Sequence, residues 1–319
     1  MTNPMPRKFP QVSDQSVAIL LCTMNGEAYL QAQLDSFKAQ SHVDWTLWVS
    51  DDGSTDNTLL ILTRFKSDFP SEQVTIVTGP KQGFAANFLS LIMKTAHAAA
   101  FYAYSDQDDI WQSNKLALAM EWQLRVDKQK PTLYCTRTEL IDENGQHLGF
   151  SKIWPRRLGF RNALTQNIAS GNTMVFNHAA HQLLFEAGGQ LDIIAHDWWT
   201  YLVVSGCGGE VFFDPTPTLQ YRQHANNLVG ANHELTAPLR SVQRLIAGSF
   251  KLWNAQNIAA LQSLYGNLPH ENKVVLQIFT EARTAPLLAR LGGVYRSGVY
   301  RQTFAGNLKL LLATLLKRI

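Results

Sequence analysis

The segment at residues 104–111, YSDQDDIW, places three carboxylates within four positions directly after an apolar run. Like charges this close together are costly unless a positive group lies between them. Because side chains alternate along an extended segment, Asp106 and Asp108 project to the same side. Two oxygen ligands at this spacing predict a site for Mg²⁺ or Mn²⁺ that leaves coordination positions open for a diphosphate. The alternative is a solvated acidic turn before a helix that starts near Ser113.

A second polar segment, VSDDGSTDNT at residues 49–58, also follows a predicted strand. A turn rich in Ser and Asp, with Asp56 as the N-cap of a helix, explains most of these residues. It does not explain Asp51 and Asp52 at the carboxyl end of the strand, which is where open α/β sheets bind ligands. A carboxylate at this edge can accept the imide N–H of a uracil or thymine base, so the segment predicts pyrimidine recognition.

Two shorter loops offer polar groups near other strand ends. Thr23, Asn25 and Glu27 in TMNGE form a tight turn that can contact a base or a ribose. Gly83 and Asn87 in KQGFAANF either begin a helix or contact the donor. Neither loop is specific by itself, because short motifs of this kind recur in unrelated proteins.

The elements that must position these segments alternate between apolar strands and amphipathic helices. In the first half, the predicted strands are 16–23, 45–50, 74–77 and 101–104, and the predicted helices are 27–40, 56–66, 84–99 and 114–128. Alternation with short connections is typical of an α/β fold with a doubly wound, mostly parallel sheet.

The second half of the chain is less regular. Its predicted elements are strands at 131–136 and 210–213, a hairpin turn at 142–146, an extended segment at 169–176, a helix at 196–204 and helices beyond about residue 235. The resulting division is a flexible N-terminal arm (1–15), an α/β domain (16–235) and a basic helical extension (236–319).

The composition is that of a folded protein with a sizeable core, because 45% of the 319 residues are hydrophobic and 17% are charged. The three widely spaced cysteines suit reduced thiols, which predicts a cytoplasmic location. No stretch reaches the ~18 apolar residues expected of a membrane span.

The extension is strongly basic, with 11 Lys/Arg against 2 Asp/Glu between residues 236 and 319. One interpretation is a helical cap whose cations are solvated. The other, which we favour, is peripheral contact with the inner face of the cytoplasmic membrane, because an apolar face at 308–319 is combined with Lys309, Lys317 and Arg318. Nucleic acid is not an expected partner, since the basic and aromatic residues do not form a recognised binding module.

The motifs TMNGEAYL, VSDDGSTDNT and YSDQDDIW, in this order, resemble the GT-A fold of glycosyltransferase family 2. The later SGNTMVFN, HDWW and YRQHANNLVG are similar to the rhamnosyltransferase-like branch of that family. The resemblance covers roughly residues 16–230. It implies a Rossmann-like nucleotide-binding half, an acceptor half, and an inverting displacement on a nucleoside-diphosphate sugar that a divalent metal assists.

The resemblance also implies roles for single residues. Asp106 and Asp108 match the metal motif, Asp108 being the direct ligand, and Asp109 supports them. His224 is an implied third contact to the metal or the diphosphate. Asp197 matches the base that takes the proton of the acceptor hydroxyl. The alternative for Asp197 is a negative charge at a helix start, where the helix dipole favours it.

The other implied contacts are with the substrates. Asp52, with Asp51 beside it, matches the position that holds the pyrimidine base, and Arg222 can meet the phosphates. Trp198 and Trp199 can stack on an acceptor sugar. The residues predicted to bind the nucleotide sugar are Thr23, Asn25, Glu27, Asp51, Asp52, Gly83, Asn87, Asp106, Gln107, Asn172 and Arg222.

The leading hypothesis is a glycosyltransferase that extends a bacterial surface polysaccharide such as O-antigen. Its expected donor is dTDP- or UDP-linked, with dTDP-L-rhamnose suggested by the subfamily, and its acceptor is a glycan or lipid-linked glycan. A nucleotidyltransferase is an alternative, but TMNGE supplies no cations for a triphosphate. The other alternative is a non-catalytic protein of the same fold that binds nucleotide sugars or glycans.

Overall fold

The computed structural model describes residues 13–168, 170–224 and 248–319. Most of the predicted N-terminal arm, the end of the YRQHANNLVG motif and the predicted boundary at residue 235 lie outside these ranges. Within the described ranges, no helix is both long and apolar enough to cross a membrane.

The first half of the sheet consists of four parallel strands connected by helices. The strands are β1 (Val17–Thr23), β2 (Trp45–Asp51), β3 (Val74–Thr78) and β4 (Phe101–Ser105). The helices are α1 (Leu30–Lys38), α2 (Thr58–Ser67), α3 (Phe84–Lys94) and α4 (Lys115–Gln123). Alternate residues of β1 contribute to two separate hydrophobic clusters, one on each face of the sheet. A strand covered on both faces needs the continuous apolar sequence VAILLCT.

The register of the central strands brings the candidate loops to one edge. Thr23 at the end of β1 lies beside Asp51 at the end of β2, and Leu21 of β1 lies beside Ser105 of β4. The loops that carry the three acidic and polar motifs therefore leave the sheet next to one another. The doubly wound arrangement predicted from the alternating pattern is confirmed, and it positions the site.

The second half of the sheet mixes antiparallel and parallel pairs. Its strands are β5 (Ile110–Trp111), β6 (Thr132–Ile141), β7 (His147–Phe150), β8 (Val175–Asn177) and β9 (Glu210–Arg222). The strand order is β3-β2-β1-β4-β8-β6-β9-β5, and β7 pairs with β6. β8 runs antiparallel to both β4 and β6, whereas β9 runs parallel to β6.

Two predicted elements of this half differ from the structure. The strand expected at 210–213 continues to Arg222, which carries it to the site. The prediction of an extended segment over 169–176 is wrong at Gly171–Thr173, which form a 3₁₀ turn before β8. The Thr173 hydroxyl closes this turn by donating to the Ser170 carbonyl at 2.8 Å, a local alternative to strand pairing. The hairpin predicted at 142–146 is confirmed, with Gly145 at φ +84°.

Seven further helices are described in the second half of the chain. They are α5 (Phe160–Ala163), α6 (His178–Ala187), α7 (His196–Gly206), α8 (Ser249–Leu261), α9 (His270–Thr284), α10 (Leu287–Ser297) and α11 (Phe304–Leu315). The predicted helical character of the extension is confirmed. Residues of α8, α9 and α11 share one hydrophobic cluster with α7 and one face of the sheet, so the extension packs on the α/β domain.

Candidate active site

The acidic loop after β4 contains carboxylates that perturb one another. Asp106 and Asp108 are partly buried in the connection between β4 and β5. Burial, followed by the charges of Asp108 and Asp197, raises the pKa of Asp106 to about 8. His224 lies beyond the end of β9, and its Nε2 is 2.8 Å from Oδ2 of Asp108. The fold therefore brings together three residues predicted as metal contacts and places the candidate base Asp197 near them.

Although these residues are neighbours, their side chains are not positioned to coordinate one cation together. Across residues 13–168, 170–224 and 248–319, no three His, Cys, Asp or Glu side chains are placed to hold one metal ion. The Asp108 carboxylate and the His224 ring bond to each other instead. The His224 ring also stacks on Tyr29, with centroids 5.0 Å apart, a contact that the sequence did not predict.

Asp109 is fully buried and ties three segments together. Its carboxylate accepts hydrogen bonds from the side-chain amide of Asn172 and from the backbone N–H of Arg222 at 3.2 Å. Burial raises its pKa well above the usual range, and the charges of Asp108 and Asp106 add to this. The supporting role predicted for Asp109 thus has a physical form. Asn172 donates to Asp109, and its predicted contact with the donor stays a prediction.

A buried cation that the sequence analysis did not single out lies near this carboxylate. Lys115, in the first turn of α4, is fully buried, and its Nζ lies 4.7 Å from the centroid of the Trp111 ring. Burial lowers the pKa of Lys115 to about 7, and the charge of Asp109 acts in the opposite direction. The sequence did offer a signal for this residue, because Lys115 lies shortly after the acidic loop and begins an otherwise apolar helix.

The Arg222 guanidinium group bonds backbone carbonyls in two loops. Its Nε donates to the carbonyl of Asp108 at 3.1 Å and its Nη1 to the carbonyl of Glu143 at 3.0 Å. The group also lies over the Tyr29 ring, 4.7 Å from its centroid, and is almost completely buried. In this structure, the planar fork bonds backbone carbonyls of the acidic loop and of the hairpin turn at 142–146, and its contact with a phosphate stays a prediction.

The loop after β1, with the sequence TMNGE, is held in place by residues that were predicted to bind the donor. The Gln107 side-chain amide pairs with both the N–H and the carbonyl of Met24, at 2.8 and 3.0 Å. The Asn25 side-chain oxygen accepts from the backbone of Thr55 at 2.8 Å. One Glu27 oxygen accepts from both the backbone and the side chain of Asn57, at 2.8 and 2.9 Å. These contacts join the loops after β1, β2 and β4.

The two aspartates at the end of β2 also make local contacts. Asp51 accepts hydrogen bonds from the Thr23 hydroxyl at 2.8 Å and from Ser54, so it shapes its own turn. Asp52 accepts from the backbone N–H groups of Lys81 at 2.6 Å and Gly83 at 3.1 Å. The structure thus brings together Asp52 and Gly83, which were each predicted to bind the nucleotide sugar.

Asn87 is buried beneath the same loop, where its side-chain amide donates to the Ser50 carbonyl at 2.9 Å. Its side-chain oxygen has no hydrogen-bond partner among the described residues. Gly79 borders this oxygen so closely that a methyl group there would lie 2.6 Å away. Asn87 therefore supports the loop that Asp52 holds, and it does so from the interior.

Asp197 lies in the first turn of α7 and borders a cavity of about 270 Å³. Burial raises the pKa of Asp197 to about 6, and hydrogen bonds from Trp198, Asn167 and Gly171 partly offset this effect. The backbone N–H of Trp198 donates to Asp197 Oδ1 at 2.6 Å. A pKa near neutrality suits a general base, because the group must be deprotonated before the reaction and basic enough to accept a proton during it.

The cavity walls were missed by the sequence analysis. Beside Asp197 they include Thr136 and Thr138 of β6, Ser151, Lys152, Trp154 and Tyr221. The available signal was the alternation of threonines in YCTRTEL, because residues two apart on a strand share one face. Polar side chains on one face of an otherwise apolar strand indicate that this face lines a pocket.

The family model described as glycosyl transferase family 2 matches residues 18–186. The chain belongs to this family. It is a glycosyltransferase. One relative, the dTDP-rhamnosyl transferase RfbG of Shigella flexneri, is 30% identical to it over 66% of this chain and 74% of the relative. Another, the UDP-Glc:α-D-GlcNAc-diphosphoundecaprenol β-1,3-glucosyltransferase WfgD of Escherichia coli, is 32% identical over 36% of this chain and 43% of the relative.

Solved structures of other transferases share the fold. Residues 1–349 of Staphylococcus aureus TarS in complex with UDP-GlcNAc match with a TM-score of 0.51 at 15% identity, over 89% of this chain and 93% of the TarS chain. The mannosyltransferase PcManGT of Pyrobaculum calidifontis, in complex with GDP-Man and Mn²⁺, matches with a TM-score of 0.51 at 18% identity, over 98% and 89%. These matches support the GT-A arrangement of the sheet.

The two tryptophans predicted to contact the acceptor lie in the core of the transferase. Trp199 is fully buried, and Trp198 is 6% exposed with its indole N–H donated to the Ala163 carbonyl at 2.7 Å. Because neither ring face borders open space, stacking on a sugar is excluded in this conformation. Of the aromatic residues nearby, Trp154 and Tyr221 border the cavity instead.

Gly171 has a specific packing requirement that yields a first prediction. A methyl group on Gly171 would overlap Nε2 of His196, whose ring is buried and stacked 3.7 Å from Phe88. We expect Gly171→Ala to lower the free energy of unfolding by about 1–3 kcal/mol, the usual cost of overpacking. It should also displace the turn that bonds Asp197 and so reduce transfer.

Chemical denaturation and initial rates measure the two effects. Gly292→Ala in α10 is the matched control, because a methyl group there meets no atom within 4 Å and alanine favours a helix. Equal stabilities for the two variants would contradict the packing argument.

Proposed function

We propose that this glycosyltransferase moves a sugar from a pyrimidine nucleoside diphosphate to a glycan acceptor with inversion, using a divalent cation held by Asp106 and Asp108. The observation that carries the proposal is the proximity of the acidic loop to Asp197, whose charge contributes to the raised pKa of Asp106. The cavity that Asp197 lines is also bordered by Tyr221, and the next residue, Arg222, bonds Asp108 and Asp109 of the acidic loop, so the cavity and the loop are neighbours.

The residues present fit a divalent cation. Asp106 and Asp108 supply hard oxygen ligands, and His224 supplies a nitrogen that Mn²⁺ accepts. The raised pKa of Asp106 is a cost that a nearby cation would remove. Two carboxylates suffice, because Mg²⁺ and Mn²⁺ commonly complete their coordination with water and substrate phosphates. When bound, such a cation would stabilise the negative charge on the leaving nucleoside diphosphate.

The protein's own contribution is proton removal and alignment. The acceptor hydroxyl forms a bond to the anomeric carbon as the bond from that carbon to the diphosphate oxygen breaks. The Asp197 carboxylate takes the proton of the hydroxyl, and attack opposite the leaving group inverts the configuration. The hydrogen bonds from Trp198, Asn167 and Gly171 hold the carboxylate in place for this step.

The donor we propose is dTDP-L-rhamnose, with UDP-linked sugars as the other candidates. The name of the 30% identical relative, a dTDP-rhamnosyl transferase, supports this choice. Asp52 directly follows β2 at the carboxyl edge of the sheet, and it is the residue that we propose to hold the pyrimidine base. For the acceptor we propose a lipid-linked glycan of bacterial polysaccharide synthesis, since WfgD acts on a diphosphoundecaprenol-linked sugar by its name. The family match argues against the nucleotidyltransferase alternative.

A screen of donors against the purified full chain tests this proposal. We expect dTDP-L-rhamnose or a UDP-sugar to raise the melting temperature when Mn²⁺ or Mg²⁺ is present, and not when EDTA removes it. Binding at a hundredfold excess over Kd stabilises the folded state by about 2.7 kcal/mol, a shift that is easily measured. GDP-mannose is the control for base recognition. Stabilisation by GDP-mannose alone, or by no nucleotide sugar, would exclude the proposed donor class.

A further inference from the structure

Helix α11 has apolar residues on its exposed face. Phe304, Leu308, Leu311 and Leu315 recur at intervals of four, three and four residues, so they share one side of the helix, and they are 43–87% exposed. Leu310, Ala313 and Thr314 on the opposite side are buried in the protein. The helix is therefore fully packed on one side and presents a second apolar stripe to the outside. Contiguous exposed apolar surface of this kind marks an interaction site.

Helix α10 repeats this arrangement beside it. Leu288 and Tyr295, seven residues apart, are 83% and 87% exposed, whereas Arg290, Gly293 and Ser297 form the buried side. The buried Arg290 guanidinium fastens α10 to the end of α11 by donating to the carbonyls of residues 314 and 315, at 2.7 and 3.3 Å. Two attached helices thus each carry an exposed apolar face.

A cationic segment packs next to these helices. Residues 144–185 contain four Lys/Arg and no acidic residue, and residues 282–319 contain seven Lys/Arg and no acidic residue. The two stretches meet where Arg156 donates to the Arg301 carbonyl at 3.3 Å and lies 4.1 Å from the Tyr300 ring centroid. Arg301 in turn donates to the Thr165 carbonyl at 2.9 Å. The two stretches together contain eleven cations, of which Arg290 is buried, and neither stretch contributes a carboxylate.

This cationic surface reaches the mouth of the Asp197 cavity. Lys152 lines the cavity, and its neighbour Ile153 is an exposed apolar residue. Lys309 of α11 lies within electrostatic reach of Lys152, because burial and then the charges of Arg301 and Lys152 lower the pKa of Lys309. The Gln302 N–H, two residues before α11, donates to the Gln166 side chain at 2.9 Å, and the next residue, Asn167, lines the cavity. The cavity and the start of α11 are therefore neighbours.

We propose that α10, α11 and the segment at residues 152–161 form a docking surface for an anionic phospholipid bilayer, with the cavity mouth at the headgroups. Aliphatic side chains surrounded by cations match acyl chains beneath phosphate headgroups. Nucleic acid would match the charge but not the aliphatic stripe. The position of the cavity serves a lipid-linked acceptor and in this respect rests on the proposed function, whereas binding to the bilayer does not.

Flotation of the full chain with vesicles tests the docking surface. We expect binding to phosphatidylcholine vesicles that contain phosphatidylglycerol, weaker binding to phosphatidylcholine alone, and weakening by salt. The triple variant Phe304→Ser, Leu308→Ser, Leu311→Ser should bind at least about tenfold more weakly, because it removes apolar area that inserts between the lipids. The charge variant Arg157→Glu, Arg296→Glu should lose the preference for phosphatidylglycerol.

Controls separate this proposal from the others. Leu59→Ser, Leu60→Ser changes two leucines of α2 that are 44% and 48% exposed, and it should bind vesicles like the wild type. Equal vesicle binding by the triple variant and the wild type would overturn the proposal. The proposal would also be overturned if the wild type did not bind vesicles and formed a dimer in gel filtration, and if only the triple variant were monomeric. Because donor binding is read independently by thermal shift, a failure of docking is distinguishable from a failure of the proposed activity.

Discussion

Replacing Asp197 by asparagine is expected to lower kcat by about 10²–10⁴-fold, the usual contribution of a general base. The substitution keeps the shape of the side chain and its ability to accept from the Trp198 N–H, so the start of α7 should be retained. The amide cannot take the proton of the acceptor hydroxyl. Donor binding should be unchanged, because the nucleotide is proposed to lie on the side of Asp52 and the acidic loop.

Transfer onto a GlcNAc-diphospholipid, the type of acceptor named for WfgD, provides the rate, and thermal shift with the nucleotide sugar and Mn²⁺ provides donor binding. Asp192→Asn is the matched control, since Asp192 is exposed and bonds Gln256 rather than lining the Asp197 cavity. A variant at Asp197 that turns over like the wild type would place the base elsewhere. Loss of the donor-induced shift would instead assign Asp197 to donor binding.

The pH profile follows from the same carboxylate. Burial raises the pKa of Asp197 to about 6, and only the deprotonated form accepts a proton. The wild-type rate should therefore fall as the pH decreases through about 6 and reach a plateau above it. For the Asp197→Asn variant, the residual rate should lack this limb. The dependence of kcat/KM on pH measures both, because it reports ionisation in the free enzyme.

Sequence patterns predicted the scaffold of the site because they reflect local requirements. The apolar run of β1 and the polar residues after it identify a buried strand and a loop at its carboxyl end, so the grouping of three loops followed from topology alone. The approach of His224 to Asp108, across 116 residues, required the family resemblance as well.

The partners of individual side chains were harder to predict because they depend on distant packing. Asp109 and Asn172 are 63 residues apart, and nothing in either local sequence indicates their hydrogen bond. Arg222 has the chemistry of a phosphate ligand, yet in this structure it bonds the Asp108 carbonyl of the acidic loop and the Glu143 carbonyl of the hairpin turn. Trp199 comes two residues after the candidate base and still faces the core, because nearby residues of a helix point in different directions.

Replacing Asp108 by alanine is the second variant with a large expected effect. We expect transfer to fall by about a thousandfold, which corresponds to roughly 4 kcal/mol of lost transition-state stabilisation. The physical reason is the loss of one of two carboxylates proposed to hold the cation, together with the 2.8 Å contact that places His224 beside it. The fold should persist, because the backbone carbonyl that receives the Arg222 Nε bond remains.

The stability of Asp108→Ala and of the wild type should differ in opposite ways with and without the cation. The charge of Asp108 contributes to the raised pKa values of Asp106 and Asp109, so its removal lowers both and relieves repulsion in the unliganded protein. The melting temperature of Asp108→Ala in EDTA should therefore equal or exceed that of the wild type, whereas Mn²⁺ should stabilise only the wild type. Asp44→Ala, at an exposed position outside the acidic loop, is the control and should respond to Mn²⁺ normally. This result would show that Asp108 destabilises the protein without a cation and is needed to bind one. If Mn²⁺ raised the melting temperature of Asp108→Ala as it does for the wild type, the cation would be held by other ligands.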